Sequence, residues 1–284
     1  MIKNKYCIYI IEPPQKQFIH VFDEVALGLY YAFKELDIEA TLINGNISPL
    51  DNYPKPIILG GNLIKFYPDM KFPEGAIIFN MEQLHPQSPW LSKEYIELMQ
   101  THEVWDYDSQ NIEFLKTLGI NAKYCGIGYV PELTKIKPQK EDIDILFIGS
   151  LNDRRLKILR DLHINTNCVV KALFNAYENA RDKYIARAKI ILNIHFYETK
   201  IFEIVRCSYL LANNKFIISE EIDNKKTMDY FKDGIAFTGY DRLIDTVIES
   251  LNKPELRSKI AGEGFNKFRG LKQVDYLKAA LNQR

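Results

Sequence analysis

Short runs of apolar residues alternate with segments of helical periodicity along most of the chain. The first apolar run, residues 5–11, predicts a strand. Residues 20–36 predict a helix, because apolar residues from Val21 to Phe33 recur at helical spacing. The first half continues with predicted strands at 39–43, 56–59, 76–79, 103–107 and 122–125, and with predicted helices at 92–100 and 109–118. This alternation indicates an α/β domain built on a parallel sheet.

A charged segment, residues 134–144, interrupts this alternation. It contains one proline and has no hydrophobic periodicity, so it predicts a linker. The second half then predicts strands at 145–148, 168–172, 190–194, 216–219 and 236–238, and helices at 154–162, 177–188 and 241–251. A chain of 284 residues favours two domains. We predict one domain over residues 1–138 and a second over residues 139–284.

Composition narrows the class of protein. Lys plus Arg and Asp plus Glu both number 37, so the formal net charge is zero, which argues against a nucleic-acid partner. The four cysteines are scattered without a CxxC pair, which is typical of reduced thiols in a cytosolic protein. Pro13 and Pro14 end the first apolar run too early for a signal peptide or a membrane span. We expect a cytoplasmic protein, and peripheral association with the inner face of the membrane stays open.

The segment from Ala188 to Glu220 carries the clearest chemical signal. Its apolar strand at 190–194 leads into a polar loop, residues 195–200, and then into a predicted helix that carries Glu203 and Arg206. Ligands of open α/β sheets bind at this carboxyl edge, where helix N-termini favour phosphate groups. A carboxylate in the first helical turn is well placed to accept both hydroxyls of a ribose. The segment therefore predicts a nucleotide site.

A second phosphate-binding candidate follows the strand at 145–148. Gly149, Ser150 and Asn152 belong to the predicted loop, and Arg154 and Arg155 begin the next helix. Arginine suits phosphate because its planar fork donates two hydrogen bonds at once. Basic charge at a helix N-terminus opposes the helix dipole, which favours ligand binding over the alternative, a tight turn before a solvated helix.

The charged residues near the nucleotide site also have a structural interpretation. Lys200, Glu203 and Arg206 are predicted on neighbouring faces of one helix start, where they could form an ion-pair lattice. The flanking apolar strands predict burial, and buried charge needs a partner or a task. A functional role is therefore favoured for Glu203 and for His195, whereas both interpretations stay open for Lys200 and Arg206.

In the first domain, two polar residues follow the predicted strand at 76–79. Glu82 is a candidate general base for a substrate hydroxyl, and Gln83 is a candidate substrate-binding residue. A loop cap is the structural alternative for both. Asp106 and Asp108 flank an aromatic residue in the wrong context for a metal ion, so no metal site is predicted.

Two further pairs are candidate site residues of the first domain. His20 and Asp23 follow the first strand and its Pro-Pro loop, where helix capping is an equal alternative. Gly61 and Asn62 follow the strand at 56–59, where the absence of a side chain would let a ligand approach the main chain. A simple turn is the favoured interpretation of this second pair.

Four sequence blocks resemble a known group of enzymes. ILFIGSLNDRRLKILRDL resembles the first strand, loop and helix of the C-terminal domain of GT-B nucleotide-sugar glycosyltransferases. LNIHFYETKIFEIVRCSYLLANNKFIISE resembles their donor-binding block. FNMEQL, with VWDYDSQNIEFL downstream, resembles bacterial surface-polysaccharide glycosyltransferases of the same fold, of the family 1 and family 4 type. The resemblance implies two Rossmann-like domains that face each other across an interdomain cleft.

The resemblance also implies a reaction. A sugar would pass from a nucleoside-diphosphate donor in the C-terminal domain to a hydroxyl of a glycan or lipid-linked acceptor, in surface-polysaccharide synthesis. The nucleotide sugar is a co-substrate, and neither a metal nor a cofactor is implied. By this match Glu203 corresponds to the ribose-binding Glu. His195 stands eight positions earlier, where many retaining members have a Glu.

The candidate residues group by role, and no oligomeric state is predicted. The catalytic candidates are Glu82, His195 and Asp23. The donor-binding candidates are Gly149, Ser150, Asn152, Arg154, Arg155, Tyr197, Lys200, Ile201, Phe202 and Glu203. The acceptor-binding candidates are His20, Gly61, Asn62 and Gln83. Two alternatives stay open: a nucleotide-sugar epimerase of the same architecture and a non-catalytic protein that binds nucleotide sugars.

Overall fold

The chain divides into two compact units. A computed structural model describes residues 6–14, 20–45, 50, 55–198 and 200–283. One unit comprises Met1–Val130 with Leu271–Arg284, and the other comprises Pro131–Gly270. This division differs from the predicted ranges, because the chain after Gly270 returns to the first unit.

The first unit is built on a parallel sheet. Its strands are β1 (Tyr6–Ile11), β2 (Ala40–Gly45), β3 (Lys55–Leu59), β4 (Ile77–Asn80), β5 (Glu103–Asp106) and β6 (Ala122–Tyr124). Its first three helices are α1 (Asp23–Glu35), α2 (Lys93–Thr101) and α3 (Ser109–Thr117). The strand order among the described residues is β2-β1-β3-β4-β5-β6. The inner strands β1, β3 and β4 are almost wholly buried, as unbroken apolar runs in parallel sheets require.

The second unit repeats this architecture. Its strands are β7 (Ile143–Ile148), β8 (Val170–Leu173), β9 (Ala188–Asn193), β10 (Ile217–Glu220) and β11 (Ala236–Thr238). Its helices are α4 (Asp153–Asn165), α5 (Glu178–Arg187), α6 (Ile204–Ala212), α7 (Lys225–Phe231), α8 (Leu243–Leu251) and α9 (Pro254–Arg269). The strands pair in parallel in the order β11-β10-β9-β7-β8. The strand ends that the sequence predicts as ligand-binding therefore share one carboxyl edge.

The last helix, α10 (Gln273–Asn282), packs against α1 of the first unit. The main chain of Tyr129 pairs with the segment before α10, donating to the Leu271 carbonyl at 2.7 Å and accepting from Gln273 N at 3.0 Å. The Gln273 side chain accepts from the N–H of Gly128 at 2.7 Å. Gly128 has no room for a side chain, because a Cβ there would lie 2.6 Å from the Leu271 carbonyl oxygen. These bonds tie the chain after Gly270 to the first unit.

Several predicted boundaries shift in the structure. The predicted linker at 134–144 is partly bound to the second unit, because Asn213 Oδ1 accepts from the N–H groups of Lys135 and Ile136. Helix α6 begins one residue after Glu203, so Lys200 precedes the helix in place of sharing its first turn. None of the helices in the described part of the chain is long and apolar enough to cross a membrane.

Candidate functional site

The carboxyl edge of the second sheet gathers most of the predicted donor-binding residues. The loop after β7 supplies Asn152, which caps α4 by accepting from Arg155 N at 3.0 Å. Its amide nitrogen donates to the carbonyl of Phe196 at 2.8 Å and so joins this loop to the one after β9. Helix α4 therefore begins in contact with the loop that carries His195.

Glu203 lies between two guanidinium groups at the start of α6. Its Oε1 accepts from Arg155 at 3.1 Å, and its Oε2 accepts from Arg206. Burial opposes ionisation of Glu203, but the charges of Arg206 and Arg155 outweigh it and hold the pKa below its ordinary value. The carboxylate is thus an anion fixed at the carboxyl edge of the sheet, where the sequence predicts a ribose ligand.

Arg155 is directed into the protein. Its side chain is only 1% exposed. Its Nε donates to the Ile194 carbonyl at 2.8 Å and its Nη1 to the Ser150 carbonyl at 2.8 Å. Burial lowers its pKa to about 10, so it stays a cation near neutral pH. This geometry favours a positioning role for Arg155, which orients Glu203 and two loops, over the predicted contact with diphosphate.

Arg154 makes a different set of contacts. Its guanidinium pairs with both oxygens of Glu220, the last residue of β10, and donates to the His195 carbonyl at 3.2 Å. It also lies 4.0 Å from the centre of the Tyr240 ring. The pairing with Glu220 raises the pKa of Arg154. Unlike Arg155, Arg154 keeps about a quarter of its side chain exposed, at 24%.

Arg206 and Glu220 are the site residues that sequence reasoning left unassigned. Arg206 donates to Asn193 Oδ1 at 3.1 Å as well as to Glu203, and its side chain is 26% exposed. Gly149 lies against it: a Cβ on Gly149, which has φ +140°, would meet Arg206 Nη2 at 3.1 Å. The signal for Arg206 is its spacing of three residues from Glu203. Glu220 could be noted only as a carboxylate at a strand end.

His195 is buried at the end of β9. Its N–H donates to Glu220 at 2.8 Å, and its Nε2 lies 3.1 Å from the carbonyl oxygen of Glu221. A carbonyl only accepts hydrogen bonds, so in the neutral imidazole Nε2 carries the proton and Nδ1 presents a lone pair. Within the described residues Nδ1 has no hydrogen-bond partner. The ring is therefore suited to accept a hydrogen bond from a ligand hydroxyl.

The remaining donor candidates differ in exposure. Phe202 packs against Phe231 and Phe237, with ring centres 5.7 and 6.1 Å apart, and Ile201 is also buried. The side chains of both therefore serve the core. Lys200 is exposed, and its carbonyl accepts from Asp223 N at 3.1 Å.

Two aromatic residues belong to the loops at this edge. Tyr197 lies edge-on to Phe196, with ring centres 5.0 Å apart. Phe174, which was not a candidate, directly follows β8 at the same edge and is 48% exposed.

Glu82 leads the candidates of the first unit. It follows β4 by two residues and accepts from the amide of Asn62, which follows β3, at 3.1 Å. Burial raises the pKa of Glu82 to about 7, against the opposing effects of the Asn62 hydrogen bond and the Lys65 charge. A carboxyl group with this pKa can accept a proton near neutral pH. Two predicted residues, Glu82 and Asn62, are thus brought together.

The other acceptor candidates have structural partners. Gly61 is packed so closely that a Cβ would meet Tyr95 at 3.0 Å and Ile78 at 3.1 Å, which supports the simple-turn alternative. The carbonyl of Gln83 accepts from Ser88 at 3.2 Å. His20 Nδ1 lies 2.7 Å from Asp23 Oδ2 at the start of α1, whose N-cap residue, Phe22, makes no side-chain cap hydrogen bond, so the contact is a side-chain pair and not the cap that the alternative expects.

The side chains that could bind a metal ion are dispersed in the described part of the chain. No group of three or more His, Cys, Asp or Glu side chains suited to a metal ion occurs among the residues that the structure describes. Asp106 is fully buried and accepts from two asparagine amides.

Comparison with solved structures identifies the architecture. HepE from Anabaena, in complex with UDP and glucose, superposes with a TM-score of 0.62 over 97% of both chains, at 9% identity. AviGT4, a glycosyltransferase involved in avilamycin A biosynthesis, gives a TM-score of 0.61 over 98% of this chain and 96% of its own, at 10% identity. The chain has the GT-B fold. The predicted α/β class, with two Rossmann-like sheets, is thereby confirmed.

A further solved structure with the GT-B fold also superposes on the chain. Sucrose-phosphate synthase from Thermosynechococcus elongatus gives a TM-score of 0.63 over 97% of this chain and 96% of its own, at 10% identity. At such identities the likeness concerns the GT-B fold, and the site residues have to be argued from their own geometry.

Relatives by sequence carry no assigned activity. No protein-family model matches the chain. Two uncharacterized proteins of Acanthamoeba polyphaga mimivirus are 26% identical over 149 residues and 27% identical over 187 residues. These alignments cover 52% and 62% of this chain, but 15% and 59% of those proteins. The chain thus spans less than two thirds of the length of the relatives it matches.

Proposed function

We propose that the chain is a glycosyltransferase that moves a sugar from a nucleoside-diphosphate donor to a hydroxyl of a glycan or lipid-linked acceptor. The observation that carries this proposal is the Glu203 carboxylate, which Arg155 and Arg206 hold ionised at the carboxyl edge of the second sheet. An anion at that place, within a GT-B fold, suits the two hydroxyls of a ribose.

The charges around Glu203 suit a diphosphate. Three guanidinium groups, of Arg154, Arg155 and Arg206, meet two carboxylates, of Glu203 and Glu220, which leaves one positive charge in excess. Arg154 and Arg206 are the partly exposed ones, so we assign them the contact with the donor phosphates. Fixed cations of this kind stabilise the charge that develops on a leaving diphosphate. On this basis we propose transfer without a metal ion.

The acceptor step is assigned to the first unit. The acceptor hydroxyl gives its proton to Glu82 while its oxygen forms a bond to the anomeric carbon of the sugar. The bond from that carbon to the diphosphate oxygen breaks, and its electron pair leaves with the diphosphate. Burial of Glu82 supports this role because a pKa of about 7 lets the carboxylate accept a proton and later release it.

His195 is assigned to the transferred sugar. Its Nδ1 lone pair can accept a hydrogen bond from a sugar hydroxyl, because Nε2–H is engaged by the Glu221 carbonyl. The HepE structure contains UDP and glucose, which supports UDP-glucose as the first donor to test. Surface-polysaccharide synthesis in the cytoplasm, at or near the membrane, is the biological setting we propose.

The test is a thermal-shift screen against UDP, GDP, ADP and CMP sugars, followed by turnover of the stabilising donor with soluble glycoside acceptors. We expect one nucleotide class to raise the melting temperature and to release its free nucleotide faster when an acceptor is added. Conversion of the donor sugar without an acceptor would favour the epimerase alternative. Binding without turnover would favour the non-catalytic alternative, and no binding at all would remove the proposal.

A further inference from the structure

A buried polar network surrounds the main chain of Glu82. Asn80, the last residue of β4, donates from its amide to the Glu82 carbonyl at 2.9 Å and accepts from the Glu82 N–H at 3.2 Å. Asn111, in α3, donates to the same carbonyl at 2.8 Å and accepts from the N–H of Leu84 at 2.9 Å. The loop that presents Glu82 is therefore held on both sides by side-chain amides.

Asp106, at the end of β5, orients both amides. It accepts from Asn80 Nδ2 at 2.7 Å and from Asn111 Nδ2 at 3.1 Å, and a third bond comes from the Asp108 N–H at 2.8 Å. All three bonds are donated to the carboxyl oxygens of Asp106. We infer that Asp106 is a positioning residue, which acts through Asn80 and Asn111 to fix the place of the Glu82 carboxylate.

The hydrogen bonds of the Asn80 side chain allow only one orientation of its amide group. The Asn80 amide has two N–H groups, one for Asp106 and one for the Glu82 carbonyl. Its oxygen accepts from the Glu82 N–H and from the Tyr95 hydroxyl, at 2.9 Å. Both amide hydrogens and both oxygen lone pairs are thus used, and a flipped amide would place donors against donors. Removing the acceptor at Asp106 would release Asn80 and Asn111 together.

A purely structural role explains this network less well. Asp106 is fully buried, which raises its pKa to about 8, and a buried carboxyl is costly compared with apolar packing. Its two amide partners converge on one main-chain carbonyl, that of the residue proposed as the base. Catalysis is sensitive to such placement, since a misplacement of about 1 Å in a reacting group can cost 10²-fold in rate.

The inference rests on the proposed function, because Asp106 has a role in catalysis only if Glu82 is the general base. Besides Asn62, which donates to it, the groups near the Glu82 carboxyl are Lys65, whose charge lowers its pKa, and the Tyr95 hydroxyl, whose own pKa is raised by burial and then by the charges of Asp106 and Glu82. Neither accepts a hydrogen bond from Asn111. The network can therefore be changed without removing a group that contacts the Glu82 carboxylate.

The experiment compares Asp106→Asn with the matched control Asp108→Asn. Both substitutions are isosteric and lie two residues apart, but Asp108 caps α3 by accepting from Gln110 N, and asparagine caps a helix equally well. The first readout is the titration midpoint of the Glu82 side-chain carboxyl, followed by ¹³C NMR and assigned with Glu82→Gln. The second is the kcat of the donor found by the screen above, with the dissociation constant for its free nucleotide.

We expect Asp106→Asn to shift the Glu82 midpoint and to lower kcat by roughly 10-fold or more, with an unchanged nucleotide dissociation constant. Asp108→Asn should leave all three readouts as in the wild type. Equal midpoints and equal kcat in the two variants would overturn the inference, as would a shifted midpoint with unchanged kcat. If Asp106→Asn does not fold, Asn111→Ala tests the same link, because it removes a donor to the Glu82 carbonyl.

The midpoint measurement separates the two proposals. A shifted midpoint in Asp106→Asn, together with no turnover by the wild-type protein on any nucleotide sugar, would contradict the proposed transferase while supporting the positioning of Glu82. Turnover by the wild type, with Asp106→Asn indistinguishable from it, would support the transferase and remove Asp106 from the mechanism.

Discussion

Glu220 accepts hydrogen bonds from Arg154 on both carboxylate oxygens, and this pair joins the end of β10 to the first turn of α4. Glu220 also accepts from the N–H of His195 at 2.8 Å, so three loops of the carboxyl edge meet at one buried carboxylate. The Arg154–Glu220 pair therefore fixes the relative positions of His195, which we assign to the donor sugar, and of Arg154, which we assign to its diphosphate.

The first prediction concerns the stability that this pair contributes. Glu220→Gln should lower the free energy of unfolding by about 1.5–3 kcal/mol, the range for hydrogen bonds to charged groups. The control is Asp142→Asn, which breaks the exposed pair with Arg187 and should leave the free energy of unfolding nearly unchanged. Urea unfolding measures both. Equal losses in the two variants would show that burial adds nothing to the Arg154–Glu220 pair.

The second prediction concerns nucleotide binding by Glu203. Glu203→Gln keeps the shape of the side chain but removes the charge, so the affinity for UDP should fall by about 1.5–3 kcal/mol in calorimetry. Glu198→Gln, in the same loop but exposed, should bind UDP as the wild type does. A dissociation constant that is unchanged in Glu203→Gln would remove Glu203 from the nucleotide site.

The sequence predicted the sheets better than the contacts of the charged residues. Apolar runs such as 145–148 and 190–194 specify buried parallel strands locally, and the structure places strands there. Arg154 and Arg155 looked equivalent, but neighbouring helix residues point about 100° apart, since a turn holds 3.6 residues. Arg154 therefore stays partly exposed while it pairs with the buried Glu220, and Arg155 is buried against Glu203.

The network at Glu82 could not be predicted for a related reason. Asn80 ends β4, Asp106 ends β5 and Asn111 lies in the first turn of α3. The pairing of β4 with β5 brings the first two together, and Asp106 bonds to both amides. Asp106 was weighed in sequence only as a metal ligand and rejected. Its hydrogen bonds to amides depend on tertiary contacts that hydrophobic periodicity does not encode.

The third prediction concerns the packing of the segment before α10. Gly128→Ala should lower the free energy of unfolding by about 1–3 kcal/mol or more, because the added Cβ would lie 2.6 Å from a main-chain oxygen. The control is Gly262→Ala, in the middle of α9, where a Cβ meets no described atom within 4 Å. It should raise stability by about 0.5–1 kcal/mol. Chemical unfolding measures the free energy of unfolding of both variants. An unchanged value in Gly128→Ala would contradict the close packing at this glycine.

The fourth prediction concerns metal independence. Since Arg154 and Arg206 are assigned to the donor phosphates, transfer should persist in excess EDTA. The measurement is turnover of the donor found in the screen, after chelation and desalting, with and without added Mg²⁺ or Mn²⁺. Complete loss of activity, restored by either ion, would contradict metal-independent transfer and would redirect attention to Asp106, Asp108, Asp142 and Asp144.

The last prediction is a pH dependence of stability that originates at Glu82. Burial raises the pKa of this carboxyl from 4.5 to about 7, so the folded state binds the proton more tightly than the unfolded state does. The resulting stability is fully present below the unfolded pKa and is lost as the pH rises through the folded pKa. Asp106, whose pKa is raised from 3.8 to about 8, adds to the same trend.

The free energy of unfolding should therefore fall between pH 5 and pH 8 in the wild type, and it should fall less steeply in Glu82→Gln, which has no proton to lose. Glu97→Gln, at an exposed ion pair with Lys93, serves as the control and should keep the wild-type slope. Urea unfolding at several pH values measures the slopes. A Glu82→Gln variant as steep as the wild type would show that the Glu82 carboxyl titrates like a solvent-exposed one, and its assignment as a base near neutral pH would lose its physical basis.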